Sequence, residues 1–431
     1  MRIACTGFVS SEAGSVASAN ALLLRELVAR GVSVDFFSKP SFVDPRPAVG
    51  ERAGFRFIAV VNTVSDALRR GMAGLRTLSA LAAWNDAATY NRLLVRSMSD
   101  EHRKLPYDAV LWLGDYAHGS VPGAATVSFA QGAPGTDARS ILRRKGEIQR
   151  LAGRRTAWKW ELLGRLRLSR FGLPGIRYSD RIVVGSSISR ERLLAIYGIS
   201  RARIFTIPYP IDLEFFRLPE QSGQVSEFNA KKETKSRRGA RISSSTLRIL
   251  WLGRIVPRKR LDIFLEGSVL ALQGGLDVRL TIVGNVGFIK GYEKLIDQFP
   301  IRDRLQWLKG VPRCDVPALL ATHDVLAQPS EEENFGSSVA EAQACGLPVI
   351  VGATNGNIDY LCSRDIRLAD GRPATFAAAL REMAARKLEG RWGSPHESRK
   401  LAEREFCLPT VAGRLLGVIQ PHSTQHSCAL V

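Results

Sequence analysis

The sequence predicts an α/β protein of two open parallel sheets that face each other across a cleft. Three observations lead there. The chain has 431 residues, too many for one ordinary core and enough for two domains of about 200. Short apolar runs alternate with stretches of helical periodicity in both halves, which is the pattern of a parallel sheet covered on both faces. Between the halves lies a polar stretch where apolar residues nearly vanish, a composition that cannot bury enough surface to order itself.

The first half opens with a strand at 2–6, a small-residue loop from Gly7 to Gly14, and a helix at 17–30 capped by Gly31. A second strand at 32–37 completes a βαβ unit. Further strands are predicted at 55–61, 108–113, 125–129 and 180–184, with a long helix at 68–98. After the break, strands are expected at 247–252, 278–283, 325–328 and 348–351. A last helix is expected at 401–419, broken at Pro409. The boundaries are thus a first Rossmann-like domain at 1–217, a flexible linker at 218–245 and a second Rossmann-like domain at 246–400. Residues 401–420 follow as a helix, and 421–431 as a disordered tail. Open parallel sheets take ligands at the carboxyl ends of their strands, so two facing sheets make one deep site.

Composition narrows the function. The 45% hydrophobic content is that of a globular protein, and no run of about 18 apolar residues exists to span a membrane. Six scattered cysteines form no CxxC pair, which argues against a disulfide framework or zinc knuckle and for a reducing, cytoplasmic compartment. Lys and Arg number 61 against 41 Asp and Glu, a net of +20. Such a field suits polyanionic partners, from nucleotides to nucleic acid and anionic lipid. No nucleic-acid-binding module is present, and no nucleic acid is expected as a partner.

The strongest local signal runs from Ser330 to Ala342. Three acids are followed by Asn334, Phe335 and Gly336, then by a helix opening at Ser337. Glu333 and Glu341 stand eight positions apart. The free N–H groups of Ser337 and Ser338 at the helix start suit phosphate oxygens. Upstream, Gly253-Arg254 is followed by Lys259 just after a strand. Two cations at a strand end suit a diphosphate, because Arg forks onto oxygens and Lys adds a point charge.

Together these stretches resemble the Glu-x7-Glu and Gly-Arg-x4-Lys motifs of retaining family-4 glycosyltransferases. Matches at 179–184, 207–212 and 283–285 fall in the family's order, so the resemblance covers roughly residues 1–420. It implies the GT-B fold, with the last helix crossing back to the first domain. It implies a nucleotide-sugar donor in the second domain and a glycan or lipid-linked acceptor in the first, with no cofactor and no required metal. In that frame Glu333 faces the transferred sugar and Glu341 the ribose. Arg254, Lys259, Phe335, Gly336, Ser337 and Ser338 surround the diphosphate, and Gly14 lets the first domain's backbone approach it. The family's usual His after the strand at 125–129 is missing. Gln131 stands there and is assigned the hydrogen bond to the donor sugar. His118 is read as a surface residue. Two other classes remain open, a polyanion-binding protein and an inactive, glycan-binding relative.

One segment stands apart. Residues 139–170 hold eleven Lys or Arg against two Glu, with Trp158 and Trp160 at the centre and leucines after them. Basic residues mixed with Trp and Leu suit an anionic bilayer, and would make the protein peripheral at the inner face of a membrane. A solvated helix with its tryptophans in the core fits the same letters.

Overall fold

The computed structural model describes residues 1–10, 15–38, 46–50, 52–61, 78–169, 175–219 and 245–420. The linker expected at 218–245 and the tail at 421–431 lie almost wholly outside these, as do Gly14 and the start of the helix expected at 68–98.

Two parallel sheets form, as the alternation predicts. The first contains β1 (Arg2–Gly7), β2 (Ser33–Ser38), β3 (Phe55–Ala59), β4 (Ala109–Leu113), β5 (Ala125–Phe129), β6 (Arg181–Val184) and β7 (Ile204–Thr206), in the order β3-β2-β1-β4-β5-β6-β7. The second contains β8 (Leu247–Leu252), β9 (Val278–Val283), β10 (Leu305–Leu308), β11 (Val325–Gln328), β12 (Val349–Val351) and β13 (Ile366–Arg367), in the order β10-β9-β8-β11-β12-β13. Each sheet reverses its strand order beside its first strand, and a crevice opens at such a point. Central strands read as unbroken apolar runs because helices cover both faces. All five residues of β4 are buried.

Local signals set the helix ends. Ser186 caps the helix Ser187–Tyr197 by accepting from the Ser189 N–H, and Gly198 ends it in the left-handed region at φ 61°. The helix Leu78–Lys104 runs six residues past its expected end, to just before Leu105-Pro106, which stops it. The expected last helix is instead two, Pro395–Phe406 and Leu408–Ile419. Pro409 does not break a helix. It sits in the first turn of the second one, where its missing N–H has no helical partner to lose. That helix lies on the first domain, where the Arg30 guanidinium donates to the Pro409 carbonyl at 2.8 Å and Arg181 to that of Gln420 at 2.8 Å.

The short strands β7, β10 and β13 escape the periodicity because they have two to four residues each. Three consecutive helices, Thr136–Arg143, Lys145–Ala152 and Arg154–Leu168, form an arm leaving the first sheet after β5. The arm buries Ile141, Ile148, Leu151 and Ala157 in the hydrophobic core of the second domain, against residues such as Trp251 and Phe264. The two domains therefore share a core as well as a cleft.

Candidate functional site

The loops after β5 and β11 meet at the centre of the molecule. Asn334 donates to the Ala130 carbonyl at 3.3 Å and accepts from the Gly185 N–H at 3.0 Å. The contact needs glycine. A Cβ on Gly132, whose φ is 121°, would stand 2.7 Å from the Asn334 Cβ, and one on Gly185 would stand 2.7 Å from the Phe335 Cβ. Beside this junction lies a cavity of about 500 Å³. Its first-domain wall includes Gly114, Asp115, His118, Gln131, Thr136 and Asp137. Its second-domain wall includes Arg254, Arg258, Glu332, Glu333 and Asn334.

The structure gathers part of the expected set here. Gln131, Arg254 and Glu333 line the cavity. Arg254 is exposed and makes no hydrogen bond or ion pair among the described residues. Lys259 lies one layer deeper. Its ammonium stands 2.6 Å from the Glu333 carboxylate and 3.2 Å from Gln328 Oε1. Arg258, not singled out from the sequence, bridges Glu333 at 2.8 Å and Asp137 of the arm at 2.7 Å. Burial pushes the Glu333 carboxyl up, but these two cations outweigh it and hold it down at about 2. Burial pulls the Lys259 ammonium down despite Glu333.

Behind them the helix Ser337–Ala344 starts where expected. Asn357 Oδ1 accepts from the Gly336 N–H at 2.7 Å, and Ser338 Oγ accepts from Gln328 Nε2 at 2.6 Å. Glu341 sits in the second turn of that helix. Its carboxyl is pushed up to about 7 by burial, opposed only by Arg313 at 3.8 Å.

Two expectations need correction. The Phe335 ring does not face the cavity. It is buried among Tyr209 of the first domain, Tyr360 of the second and Phe406, at ring distances of 6.1, 6.0 and 5.3 Å, so the ring packs the domain junction and only the backbone of this turn is left for a donor. His118 is not a bystander on the surface. It lines the cavity, packs edge-on against Trp112 at 5.5 Å and stands 3.4 Å from Asp115. Its position just after β4 was the usable signal, since strand carboxyl ends carry ligand sites. Gly14 falls outside the described residues.

The acidic triplet does more than the sequence suggested. Glu332 is 5% exposed, has a positive φ of 55°, and ion-pairs with Arg139 at 2.9 Å, Arg192 at 3.2 Å and Arg143. Glu331 takes Arg144 at 3.2 Å. A non-glycine residue in the left-handed region costs about 1 kcal/mol or more, and three guanidiniums hold Glu332 there. The arm's arginines are thus tied to the acids that flank the site.

Comparison with known proteins fits this geometry. Residues 232–394 match the family model described as glycosyl transferases group 1. That segment of the chain is similar to this family. Over 247 residues it is 29% identical to a D-inositol 3-phosphate glycosyltransferase of Xylanimonas cellulosilytica, covering 56% of this chain and 56% of that protein. The chain matches about half the length of such curated relatives. Among solved structures it resembles HepE of Anabaena in complex with UDP and glucose, with a TM-score of 0.64 at 14% identity over 96% of this chain and 98% of that one. It also resembles WaaG, a glycosyltransferase involved in lipopolysaccharide biosynthesis, with a TM-score of 0.61 at 18% identity over 97% and 99%. At these identities the likeness is one of fold, and the fold is GT-B.

Proposed function

We propose that the protein is a retaining glycosyltransferase, moving a sugar from a nucleoside-diphosphate sugar to a glycan or lipid-linked acceptor in envelope polysaccharide or glycolipid synthesis. The observation that carries this reading is the convergence of Arg254, Arg258 and Glu333 on the crevice between two parallel sheets, with Lys259 and the start of the helix Ser337–Ala344 behind them. The diphosphate lies across Arg254 and the N–H groups at the helix start, with Lys259 behind. As the bond from the sugar to phosphate lengthens, negative charge grows on the leaving diphosphate and positive charge on the ring. The cations and the helix N-terminus stabilise the first, and ionised Glu333 the second. Glu341 accepts from the ribose hydroxyls. Gln131 donates to the sugar from the first domain, and the acceptor enters past Asp115 and His118. No metal is required, because Arg254 and Lys259 neutralise the diphosphate.

The HepE neighbour was solved with UDP and the inositol-phosphate relatives are named glycosyltransferases, which makes UDP-sugars the first donors to try. The polyanion-binding alternative loses support, since Arg139, Arg143, Arg144 and Arg258 are engaged by acids of the protein itself. No helix among the described residues is long and apolar enough to cross a membrane. We place the protein in the cytoplasm, at the inner face of a membrane. The test uses water as acceptor. Proton NMR of sugar freshly released from a nucleotide sugar should show the donor's anomeric configuration, and EDTA should leave the rate unchanged. An inverted anomer overturns the retaining mechanism.

A further inference from the structure

The arm carries one feature that neither its packing nor the donor site uses. At 100° per residue, the helix Arg154–Leu168 turns Ala157 and Gly164 inward, where both are buried. Trp160, on the flank of that face, packs against Phe288 of the second domain at a ring distance of 5.0 Å. The opposite face carries Trp158, Leu162 and Leu166, which are 66, 44 and 56% exposed. Ten large hydrophobic side chains are exposed among the described residues, and three of them stand on this one face, so the grouping is not ordinary scatter. Arg154 and Arg165 edge the stripe on one side and Lys159 on the other, Arg155 heads it one turn before Trp158, and all four are exposed. Arg154, Arg155 and Lys159 make no ion pair among the described residues, and the helix has a single acid, Glu161, which takes Lys145 and Arg165.

A helix whose solvent face is apolar at its centre and cationic along both edges matches the boundary between lipid headgroups and acyl chains. We infer that the helix Arg154–Leu168 docks on an anionic lipid surface, with Trp158, Leu162 and Leu166 inserted at the headgroup level and Arg154, Arg155, Lys159 and Arg165 among the headgroups. Arg167, in the last turn of the same helix, lines the cavity. A docked surface therefore lies within about one helix diameter, roughly 10 Å, of the cavity mouth. Resting on the transferase reading, this selects the lipid-linked acceptor over a soluble glycan. The docking element is narrower than the basic segment 139–170. Arg139, Arg143 and Arg144 serve the domain junction, and Trp160 serves the core.

The test is co-sedimentation of the full chain with phosphatidylcholine vesicles, with and without phosphatidylglycerol at roughly one lipid in three. The protein should bind the anionic vesicles and release as salt rises. The triple variant Trp158→Ser, Leu162→Ser, Leu166→Ser, which leaves the charge unchanged, should bind them more than about tenfold more weakly. Arg154→Gln, Arg155→Gln, Lys159→Gln should lose the preference for anionic lipid. Both variants should melt like the parent and keep its stabilisation by nucleotide sugar, so failure to dock is separable from failure of the donor site. Equal binding of the serine variant and the parent overturns the inference, because charge alone would then suffice. So does equal binding to neutral and anionic vesicles. Dimerisation of the parent in sedimentation velocity that the serine variant abolishes, without vesicle binding, would make the stripe a contact between copies instead.

Discussion

The two walls of the cleft balance their charge in different ways. In the second domain the cations assigned to the donor are met by an acid of their own domain, Glu333, which lies on the loop after β11 and touches both Arg258 and Lys259. In the arm of the first domain the arginines find their acids across the junction, Arg139 and Arg143 at Glu332 and Arg144 at Glu331. On the proposed reading, the first wall is a ligand site held ready by a built-in counter-ion. The second is a fastening between domains. Net charge and local composition look alike in both, and only the identity of each partner separates them.

The fastening gives the largest expected effect. Glu332→Ala removes one buried acid from three guanidiniums, and breaking such a buried pair costs about 3–5 kcal/mol, here toward the lower figure because Arg143 is half exposed. Denaturant unfolding measures it. A loss below about 1 kcal/mol would mean that the junction is held by packing alone and would break the comparison.

The ligand wall should respond in the opposite sense. Glu333→Gln frees Arg258 and Lys259 for the diphosphate, so nucleoside-diphosphate affinity should hold or rise while turnover falls by about 10²-fold or more. Calorimetry and initial rates together read the split. Weaker binding with unchanged turnover would remove Glu333 from the chemistry.

Arg254 and Lys259, equal in the sequence motif, should separate. Arg254 is exposed at the cavity and unpaired among the described residues, so Arg254→Ala should cost diphosphate binding about 1.5–3 kcal/mol with no change in melting temperature. Lys259→Ala should also lower stability, because Glu333 then keeps Arg258 alone. Equal loss of nucleoside and nucleoside-diphosphate binding in Arg254→Ala would contradict its assignment to the diphosphate.

The smallest effect is a pH dependence. Burial raises Glu341 from its ordinary 4.5 to about 7. Ribose hydroxyls donate to the ionised form, so donor affinity should fall as pH drops through about 7, and the slope should vanish in Glu341→Gln. Stability without donor runs the other way. A raised carboxyl contributes stability that is complete below its unfolded value of 4.5 and is lost as pH rises through about 7. A flat affinity profile between pH 6 and 8 would place Glu341 away from the ribose.

Much of this was legible in the sequence, and the boundary has a physical cause. The two sheets and the helix starting at Ser337 follow from periodicity and short-range spacing, and the placement of Arg254 and Glu333 from the motifs that carry the family resemblance. Glu332 was not legible as a junction residue, because Arg139 lies 193 positions away in the chain. The two tryptophans of the arm differ by two positions in sequence and by about 200° around the helix, so one is core and the other is surface. Phe335 reads as part of a turn, yet its ring is claimed by Tyr209, Tyr360 and Phe406, brought from both domains and the chain's last helices.

The central claim is that a nucleoside-diphosphate sugar occupies the crevice of the second domain. The most direct measurement is the unfolding free energy of the full chain with UDP-, GDP-, ADP- and TDP-sugars, run beside oligonucleotides of matched charge. One sugar nucleotide at 100 times its dissociation constant should stabilise the protein by about 2.7 kcal/mol, and that gain should shrink in Arg254→Ala. Stabilisation by oligonucleotides and by none of the four sugar nucleotides would contradict it.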